Sequence, residues 1–284
     1  MPARQPSQDS ARLAERYALA LPEAPPRGTA GELLGKGTGS SLEFQDRRAY
    51  VAGDDLRHLD WRAFARTDQL LVRQYREEIE PRVEVLLDAS RSMATSDAKA
   101  QFALDLAALL ARAARGQGLG ARLIVLGARP ARLEIDQLLG AGVDFDGSEG
   151  LGVALDRAAP LLSGGAMRTL ISDLLVPEEP RALVRRLAGR SSRLALLQLL
   201  SEGDAAPVAG EALRLTDSES GDTLDLVLDE SAVRGYRQRL ESLCAAWASE
   251  CARAGAACAR LVARGALDGL CRDQLVPAGI LVPR

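Results

Sequence analysis

Two short apolar runs in this sequence each end on an acidic residue, Asp88 and Asp173. The first acid is followed by serines at alternate positions, Ser90 and Ser92. In a tight loop, side chains at alternate positions can converge on one point. Carboxylate and hydroxyl oxygens are the ligands that Mg²⁺, Mn²⁺ and Ca²⁺ prefer. The residue types and their spacing therefore predict a divalent-metal site.

A further hydroxyl, Ser148, lies in the loop Asp146–Gly150, just ahead of a predicted helix. This serine is the candidate third hydroxyl of the site. The structural alternative is that Ser90 and Ser92 only cap the helix that follows them. Two strand-terminal acids in succession favour the metal site.

The elements around these residues alternate between strands and helices. Strands are predicted at 83–88, 169–173, 194–200 and 259–262, helices at 98–114, 151–162, 180–188 and 232–254, and hairpins at 122–135 and 213–228. Such alternation predicts an α/β, Rossmann-like fold with a mostly parallel sheet and helices on both faces. Ligands of these sheets bind beyond the carboxyl ends of the strands, where Asp88 and Asp173 are placed.

The chain divides by its sequence into three parts. Residues 1–34 are predicted to be a tail and linker, with a short amphipathic stretch before the prolines at 22–26. Residues 35–80 form an extension that begins with the glycine-rich segment Gly35–Ser41. That segment lacks the order and setting of a phosphate-binding loop, and a flexible loop is expected there. Residues 81–284 form the sheet domain, and the stretch after Gly265 has no clear pattern.

Composition excludes several classes of protein. The net charge of −3 argues against nucleic acid as the main partner. No apolar run is long enough for a membrane span, and the polar start shows no signal peptide, so a cytoplasmic location is expected. The four cysteines form no C-x-x-C pair, which makes a zinc site improbable. Cys244 and Cys251 are expected on one helix face as small apolar side chains.

The Asp-x-Ser-x-Ser run at Asp88–Ser92 resembles the metal-ion-dependent adhesion site of von Willebrand A domains. The resemblance implies that Ser90, Ser92 and Ser148 bind the metal directly, while Asp88 and Asp173 hold it through water. An acidic residue of a partner would complete the coordination. The chain has Ser148 where that family usually has threonine, and Leu174 follows Asp173 where the family often has glycine.

The segment ahead of the site is similar to the signature of one bacterial family. Its residues include Arg48–Trp61, Ala65–Thr67 and Leu71–Tyr75. The chain is identified by them, over residues 35–265, as a member of the domain-of-unknown-function 58 family, whose signature runs into an A-type domain. The resemblance implies a MoxR-type AAA+ ATPase as partner, and other von Willebrand A proteins as further candidates.

The same segment is dense in charged residues, which leaves two interpretations open. One is a catalytic cluster with a histidine general base: Asp54, Asp55, His58 and Asp60. The other is an extension packed on the sheet domain, in which Arg57, Asp60 and Arg66 pair to satisfy buried charges. The packing role is favoured, because nothing nearby in the sequence supplies a nucleophile or an oxyanion site.

Three functions follow as hypotheses. The first is a non-catalytic, metal-dependent protein-binding module that acts with the ATPase, in assembly or maturation of protein complexes. The second is a metal-dependent hydrolase or phosphatase that uses Asp88. Ser90 stands where aspartyl-phosphate enzymes carry a second acid, and no Gly-x-Ser-x-Gly elbow surrounds the serines. The third is a scaffold whose metal site is vestigial.

Overall fold

The computed structural model describes residues 3–21, 42–51, 54–77, 82–210, 212–216 and 222–284. The predicted linker at 22–26, the glycine-rich segment at 35–41 and most of the hairpin turn at 218–222 lie outside the described residues. Contacts divide the described chain into two units. Unit 1 holds residues 3–21 and 82–284, and unit 2 holds residues 42–77.

The strands follow the chain in this order: β1 (Tyr17–Leu19), β2 (Leu42–Ala49), β3 (Leu71–Glu77), β4 (Arg82–Asp88), β5 (Gly120–Leu126), β6 (Ala131–Leu133), β7 (Ala166–Ser172), β8 (Ser191–Leu200), β9 (Ala212–Thr216), β10 (Thr223–Val227), β11 (Ala257–Val262) and β12 (Leu281–Pro283). The α-helices are α1 (Asp9–Arg16), α2 (Trp61–Thr67), α3 (Asp97–Arg115), α4 (Ile135–Ala141), α5 (Leu151–Ala158), α6 (Pro180–Ala188), α7 (Glu202–Ala205), α8 (Glu230–Arg253) and α9 (Leu267–Leu270). Short 3₁₀ turns lie at Leu56–His58, Arg91–Ala94 and Ala159–Leu161, and a π-helical turn at Cys271–Leu275.

A six-stranded sheet forms the centre of unit 1, in the order β11-β8-β7-β4-β5-β6. The first five strands are parallel to their neighbours, and β6 runs antiparallel to β5. The predicted α/β fold with a mostly parallel sheet is therefore confirmed. The two predicted hairpins are present as β5–β6 and β9–β10, and α4 is a helix that the sequence pattern did not predict.

Strand β4 shows why the sheet is covered on both faces. Successive side chains of a strand point to opposite faces. Val85 and Leu87 pack in one apolar core with α3, whereas Leu86 packs in a second core with α5, α6 and α8. All three side chains are fully buried. The strand therefore contains apolar residues at consecutive positions instead of an alternating pattern.

The ends of the chain belong to unit 1. Residues 9–19, placed by the sequence in a tail, form α1 and β1, because Leu13, Tyr17 and Leu19 bury their side chains in the core beside α3. Strand β1 pairs antiparallel with β12, which lies in the C-terminal stretch that has no clear sequence pattern. Neither short strand has a strong sequence pattern of its own, because each depends on the other for its strand pairing.

A buried ion pair lies between β4 and β7. Arg168 Nε donates to Glu84 Oε2 at 3.1 Å, and the two side chains are 3% and 0% exposed. The same guanidinium donates to the carbonyls of Ser163, Leu187 and Gly189. Glu84 Oε1 accepts from the Ser163 amide at 2.6 Å. The pair therefore satisfies the backbone at the amino end of the sheet as well as its own charges.

The four cysteines are free. Cys244 and Cys251 both lie on α8, as predicted, and Cys251 is buried while Cys244 is half-buried. The Cys244 thiol donates to Gln198 Oε1 at 3.1 Å, so this cysteine makes a polar contact in addition to packing.

Candidate divalent-cation site

Asp88 and Asp173 lie at the same edge of the sheet because their strands are parallel neighbours. Asp88 is the last residue of β4, and Asp173 follows the last residue of β7. Parallel strands bring their carboxyl ends to one edge, which is where such sheets bind ligands. Both acids are buried, with 3% and 2% of their surface exposed. Their placement is the one expected from the sequence.

The Asp88 carboxylate organises the loop that follows it. Asp88 Oδ1 accepts from the Ser90 amide at 2.9 Å, and Asp88 Oδ2 accepts from Ser172 Oγ at 2.6 Å. This folds the loop back so that Ser90 Oγ and Ser92 Oγ lie 2.9 Å apart and share a hydrogen bond. The two hydroxyls therefore converge as the alternate spacing predicted. Helix α3 is capped by Ser96, and Ser90, at the N-cap position of the 3₁₀ turn Arg91–Ala94, makes no side-chain capping bond, so capping does not explain the two serines.

The loop that carries Ser148 is held against this turn by its backbone. The Gly147 amide donates to Ala89 O at 3.0 Å, and the Arg91 amide donates to Gly147 O at 2.9 Å. A side chain at Gly147 would lie 3.1 Å from Ser90 Cα, so glycine permits this close approach. The Ser148 side chain is exposed, and within the described part of the chain its hydroxyl forms no hydrogen bond with the other four residues.

Asp173 is held by a lysine that sequence reasoning missed. Lys99, in the first turn of α3, is 1% exposed, and its Nζ donates to Asp173 Oδ2 at 2.8 Å. The ammonium group also donates to Asp204 Oδ2 at 3.2 Å and to Ser92 O at 3.1 Å. Asp173 Oδ1 accepts from the Leu175 amide. Both oxygens of Asp173 thus have partners within the protein.

A signal for Lys99 was available in the composition. Of 36 basic residues only Lys36 and Lys99 are lysines. A compact ammonium group with three donors fits between two carboxylates and a carbonyl, which the planar guanidinium of arginine does not match. Ser172 and Asp204 were also missed. Ser172 is an ordinary strand residue by sequence, and Asp204 lies on α7, which has no apolar periodicity.

The residue after Asp173 has an unusual backbone. Leu174 has a φ of 55°, in the left-handed region that favours glycine. The von Willebrand A family, which the site resembles, often has glycine at this position. Its side chain is fully buried, and its carbonyl accepts from Trp247 Nε1 at 3.2 Å. Burial and this hydrogen bond hold the strained conformation without glycine.

The two acids of the site are only partly balanced by the positive charge in contact with them. Burial, followed by repulsion from Asp173, raises the pKa of Asp88 to about 6. The two acids carry two negative charges when ionised, and Lys99 supplies one positive charge in direct contact. No group of three or more His, Cys, Asp or Glu side chains in the described ranges is arranged to hold a metal. The donor set here is different, with two carboxylates and converging hydroxyls, and its hard oxygens fit Mg²⁺.

The charged residues of unit 2 serve local structure. Asp54 pairs with Arg48 at 2.5 Å, and Asp55 pairs with Arg57 at 2.6 Å. These guanidinium groups lower the pKa of each carboxyl, that of Asp55 to about 2. Asp60 is buried and accepts from two amides as the N-cap of α2.

The expected pairing of this segment was therefore wrong in its details. Arg57 pairs with Asp55 and not with Asp60, and the Arg57 side chain is 86% exposed, so its charge is not buried. The acids of the alternative catalytic cluster are engaged in ion pairs or capping. These contacts favour a local structural role for the acids over a catalytic one.

The fold and the site define an α/β protein with an acid-and-hydroxyl cluster at the carboxyl edge of a mostly parallel sheet. The family model described as "Protein of unknown function DUF58" matches residues 46–243, more than half of the chain. The chain belongs to this family, as its signature segment predicted.

Mycobacterial proteins are similar to this chain. The chain is 29% identical over 219 residues to the uncharacterized protein Rv1480 of Mycobacterium tuberculosis (strain ATCC 25618 / H37Rv), covering 70% of this chain and 68% of that protein. The uncharacterized protein Mb1516 of Mycobacterium bovis matches to the same extent. Both relatives are uncharacterized, so they suggest no function for this chain.

Two solved structures are also similar. One is an aerotolerance-related membrane protein from Bacteroides fragilis, with a TM-score of 0.35 and 17% identity over 56% of this chain and 87% of that one. The other is BatB from Bacteroides thetaiotaomicron, with a TM-score of 0.33 and 15% identity over 62% and 98%. At these scores nothing is transferred from them. In the part of this chain that is described, no helix is both long and apolar enough to cross a membrane.

Proposed function

We propose that this protein is a non-catalytic protein-binding module with a von Willebrand A-like site for a divalent cation, Mg²⁺ in the first instance. Ser90, Ser92 and Ser148 would hold the cation directly, and Asp88 and Asp173 through water. When bound, the cation supplies a Lewis acid to which a partner's carboxylate attaches. The observation that carries the proposal is the convergence of Ser90 Oγ and Ser92 Oγ, 2.9 Å apart, beside two buried acids at one sheet edge.

The protein's own groups prepare the site in two ways. Ser172 Oγ and the Ser90 amide fix the orientation of Asp88, so little ordering remains for cation binding. The backbone pairing of Gly147 with Ala89 brings the Ser148 loop to the same turn. The proposal requires the exposed Ser148 side chain, which follows Gly147 in this loop, to turn its hydroxyl toward the cation.

The proposed partner is a MoxR-type AAA+ ATPase, acting with this protein in the cytoplasm in assembly or maturation of other complexes. The support is the resemblance of residues 48–75 to the family signature. These residues lie within the range 46–243 that the family model matches. The net charge of −3 does not favour nucleic acid as the main partner, which is consistent with a protein partner.

The test measures affinity for the MoxR-type ATPase encoded nearest to this protein's own gene, in Mg²⁺ and in EDTA. We expect binding in Mg²⁺, and loss of binding in EDTA and in Ser92→Ala. The matched control is Ser249→Ala, which removes an exposed hydroxyl on α8. Circular dichroism monitors folding. Affinity that is the same in EDTA and in Ser92→Ala would contradict a cation-bridged contact.

A scaffold with a vestigial site is the second candidate, and Lys99 is the observation that favours it. Its ammonium group already compensates Asp173, so the fold does not require a metal. In that case the partner binds equally in EDTA. Mg²⁺-dependent hydrolysis of p-nitrophenyl phosphate that is lost in Asp88→Ala would instead favour the hydrolase hypothesis.

A further inference from the structure

Lys99 belongs to α3, but its ammonium group makes its hydrogen bonds at the candidate site. The side chain reaches from the first turn of the helix to the end of β7, and it is 1% exposed. A lysine ammonium group has three hydrogen atoms to donate, and Nζ has three acceptors here: Asp173 Oδ2, Asp204 Oδ2 and Ser92 O. A buried charge is tolerated when it is paired and hydrogen-bonded in this way.

The same contacts conflict with a cation at the site. Asp173 Oδ2 is taken by Lys99 at 2.8 Å, and Asp173 Oδ1 is taken by the Leu175 amide. Because a carboxylate oxygen accepts more than one hydrogen bond, these contacts do not exclude a metal-bound water, but Lys99 already compensates the negative charge that would attract the cation. The cation would also lie near the ammonium group, because Lys99 Nζ contacts the carbonyl of Ser92, a residue whose hydroxyl belongs to the donor set. The cation and the Lys99 ammonium group are both positive, so they would repel each other.

Asp204 offers the ammonium group a second acid. It lies on α7, after the end of β8, and its carboxylate is 25% exposed, whereas that of Asp173 is 3% exposed. Asp204 Oδ2 is 3.2 Å from Nζ, so a small displacement of the lysine would exchange its main partner. Asp204 is fixed in place because it caps α7 through the Ser201 amide.

We infer that Lys99 is the internal counter-ion of Asp173 in the metal-free protein, and that a divalent cation binds by displacing its ammonium group toward Asp204. Lys99 is thus a positioning residue that sets the affinity of the site for cations. This inference rests on the proposed function, since it assumes that the site takes a divalent cation. Its consequence is that the site is stable without a cation and binds one more weakly than the two acids would without the lysine.

The test titrates Mn²⁺ into the purified full-length protein by isothermal calorimetry. In Lys99→Met we expect the affinity for Mn²⁺ to rise about tenfold or more, because one positive charge a few ångströms away is removed. Arg91→Met is the matched control, since it removes an exposed cation from the same loop and should change the affinity much less. Far-UV circular dichroism checks that each variant is folded.

Asp204→Asn provides an independent variant in case Lys99→Met does not fold without metal. Asparagine keeps an oxygen for the Ser201 amide but removes the second acid. Lys99 then has Asp173 as its one acidic partner, so the affinity for Mn²⁺ should fall about threefold or more. In the Lys99→Met background the same change should have a smaller effect, because Asp204 acts through the lysine.

The outcomes separate this inference from the proposed function. Binding of Mn²⁺ by the unsubstituted protein that becomes tighter in Lys99→Met supports the inference. Binding in Lys99→Met alone would mean that the lysine blocks the site, which overturns both the displacement and the metal-dependent function. Wild-type binding that is equal or weaker in Lys99→Met overturns the inference alone. Absence of binding in both proteins overturns both.

Discussion

Replacement of Arg168 by methionine tests the account of the core most directly. The guanidinium group and Glu84 are 3% and 0% exposed, and methionine fills similar volume without charge. The change leaves the Glu84 carboxylate buried with one remaining donor, the Ser163 amide at 2.6 Å. Breaking a buried pair by removing one partner costs about 3–5 kcal/mol. The carbonyls of Ser163, Leu187 and Gly189 lose their donors as well.

The free energy of unfolding should therefore fall by about 4 kcal/mol or more, since one buried carbonyl left without a partner adds about 1 kcal/mol. Glu84→Gln alone should cost about 1–3 kcal/mol, because the amide oxygen still accepts from Ser163 and Arg168 keeps its three carbonyls. Arg168→Met combined with Glu84→Gln removes the stranded charge. The double variant should be less destabilised than the sum of the two single variants by about 2 kcal/mol.

Urea unfolding followed by circular dichroism at neutral pH measures all three variants. Arg234→Met is the matched control, because Arg234 and its partner Glu230 are 68% and 85% exposed. Exposed pairs of this kind contribute about 0.5 kcal/mol. The reasoning is refuted if Arg168→Met costs less than about 1 kcal/mol, or if the double variant equals the sum of the single variants.

Three further changes test the site. In EDTA, Asp88 should contribute a fall in the free energy of unfolding as pH rises from about 4 to about 6, opposite in sign to the contribution of acids with lowered pKa values. Burial and Asp173 raise the pKa of Asp88 to about 6, so the folded carboxyl keeps its proton where the unfolded one has lost it. Urea titrations across this range should show the slope, and an unchanged slope in Asp88→Asn would exclude this carboxyl as its source. Leu174→Gly should relieve about 1 kcal/mol of backbone strain, but loss of the buried side chain should cost about 2–5 kcal/mol of stability. The net effect is destabilisation, which a higher urea midpoint would contradict. Gly147→Ala places a Cβ 3.1 Å from Ser90 Cα, so we expect about 1 kcal/mol of lost stability and weaker Mn²⁺ binding by calorimetry, whereas unchanged affinity would separate the loop from the site.

Local patterns in the sequence were sufficient to predict the strands that end at the two acids of the site and the loop that carries its paired serines. The apolar run ending at Asp88 and the alternate serines predicted both the strand β4 and the convergence of Ser90 and Ser92. A second run ending at Asp173 placed that acid at the same sheet edge. These predictions succeed because strand direction and side-chain alternation are properties of short segments.

Local patterns were insufficient where the partner lies far along the chain. Strand β1 acquires its pairing from β12, and no feature of residues 17–19 predicts it. Glu84 meets Arg168 across 84 residues, and a single acid in an apolar strand gives no indication of its partner. Sheet order decides both cases, and the order of strands is a property of the whole fold.

Sequence by itself determined the α/β fold, the family and the acids and hydroxyls of the candidate site. Tertiary structure alone decided how the charge of that site is balanced. Lys99 lies 74 residues from Asp173 and 105 from Asp204, and the packing of α3 against the sheet brings the three together. Charge compensation depends on distance in space and on burial, and neither is encoded in the spacing of residues along the chain.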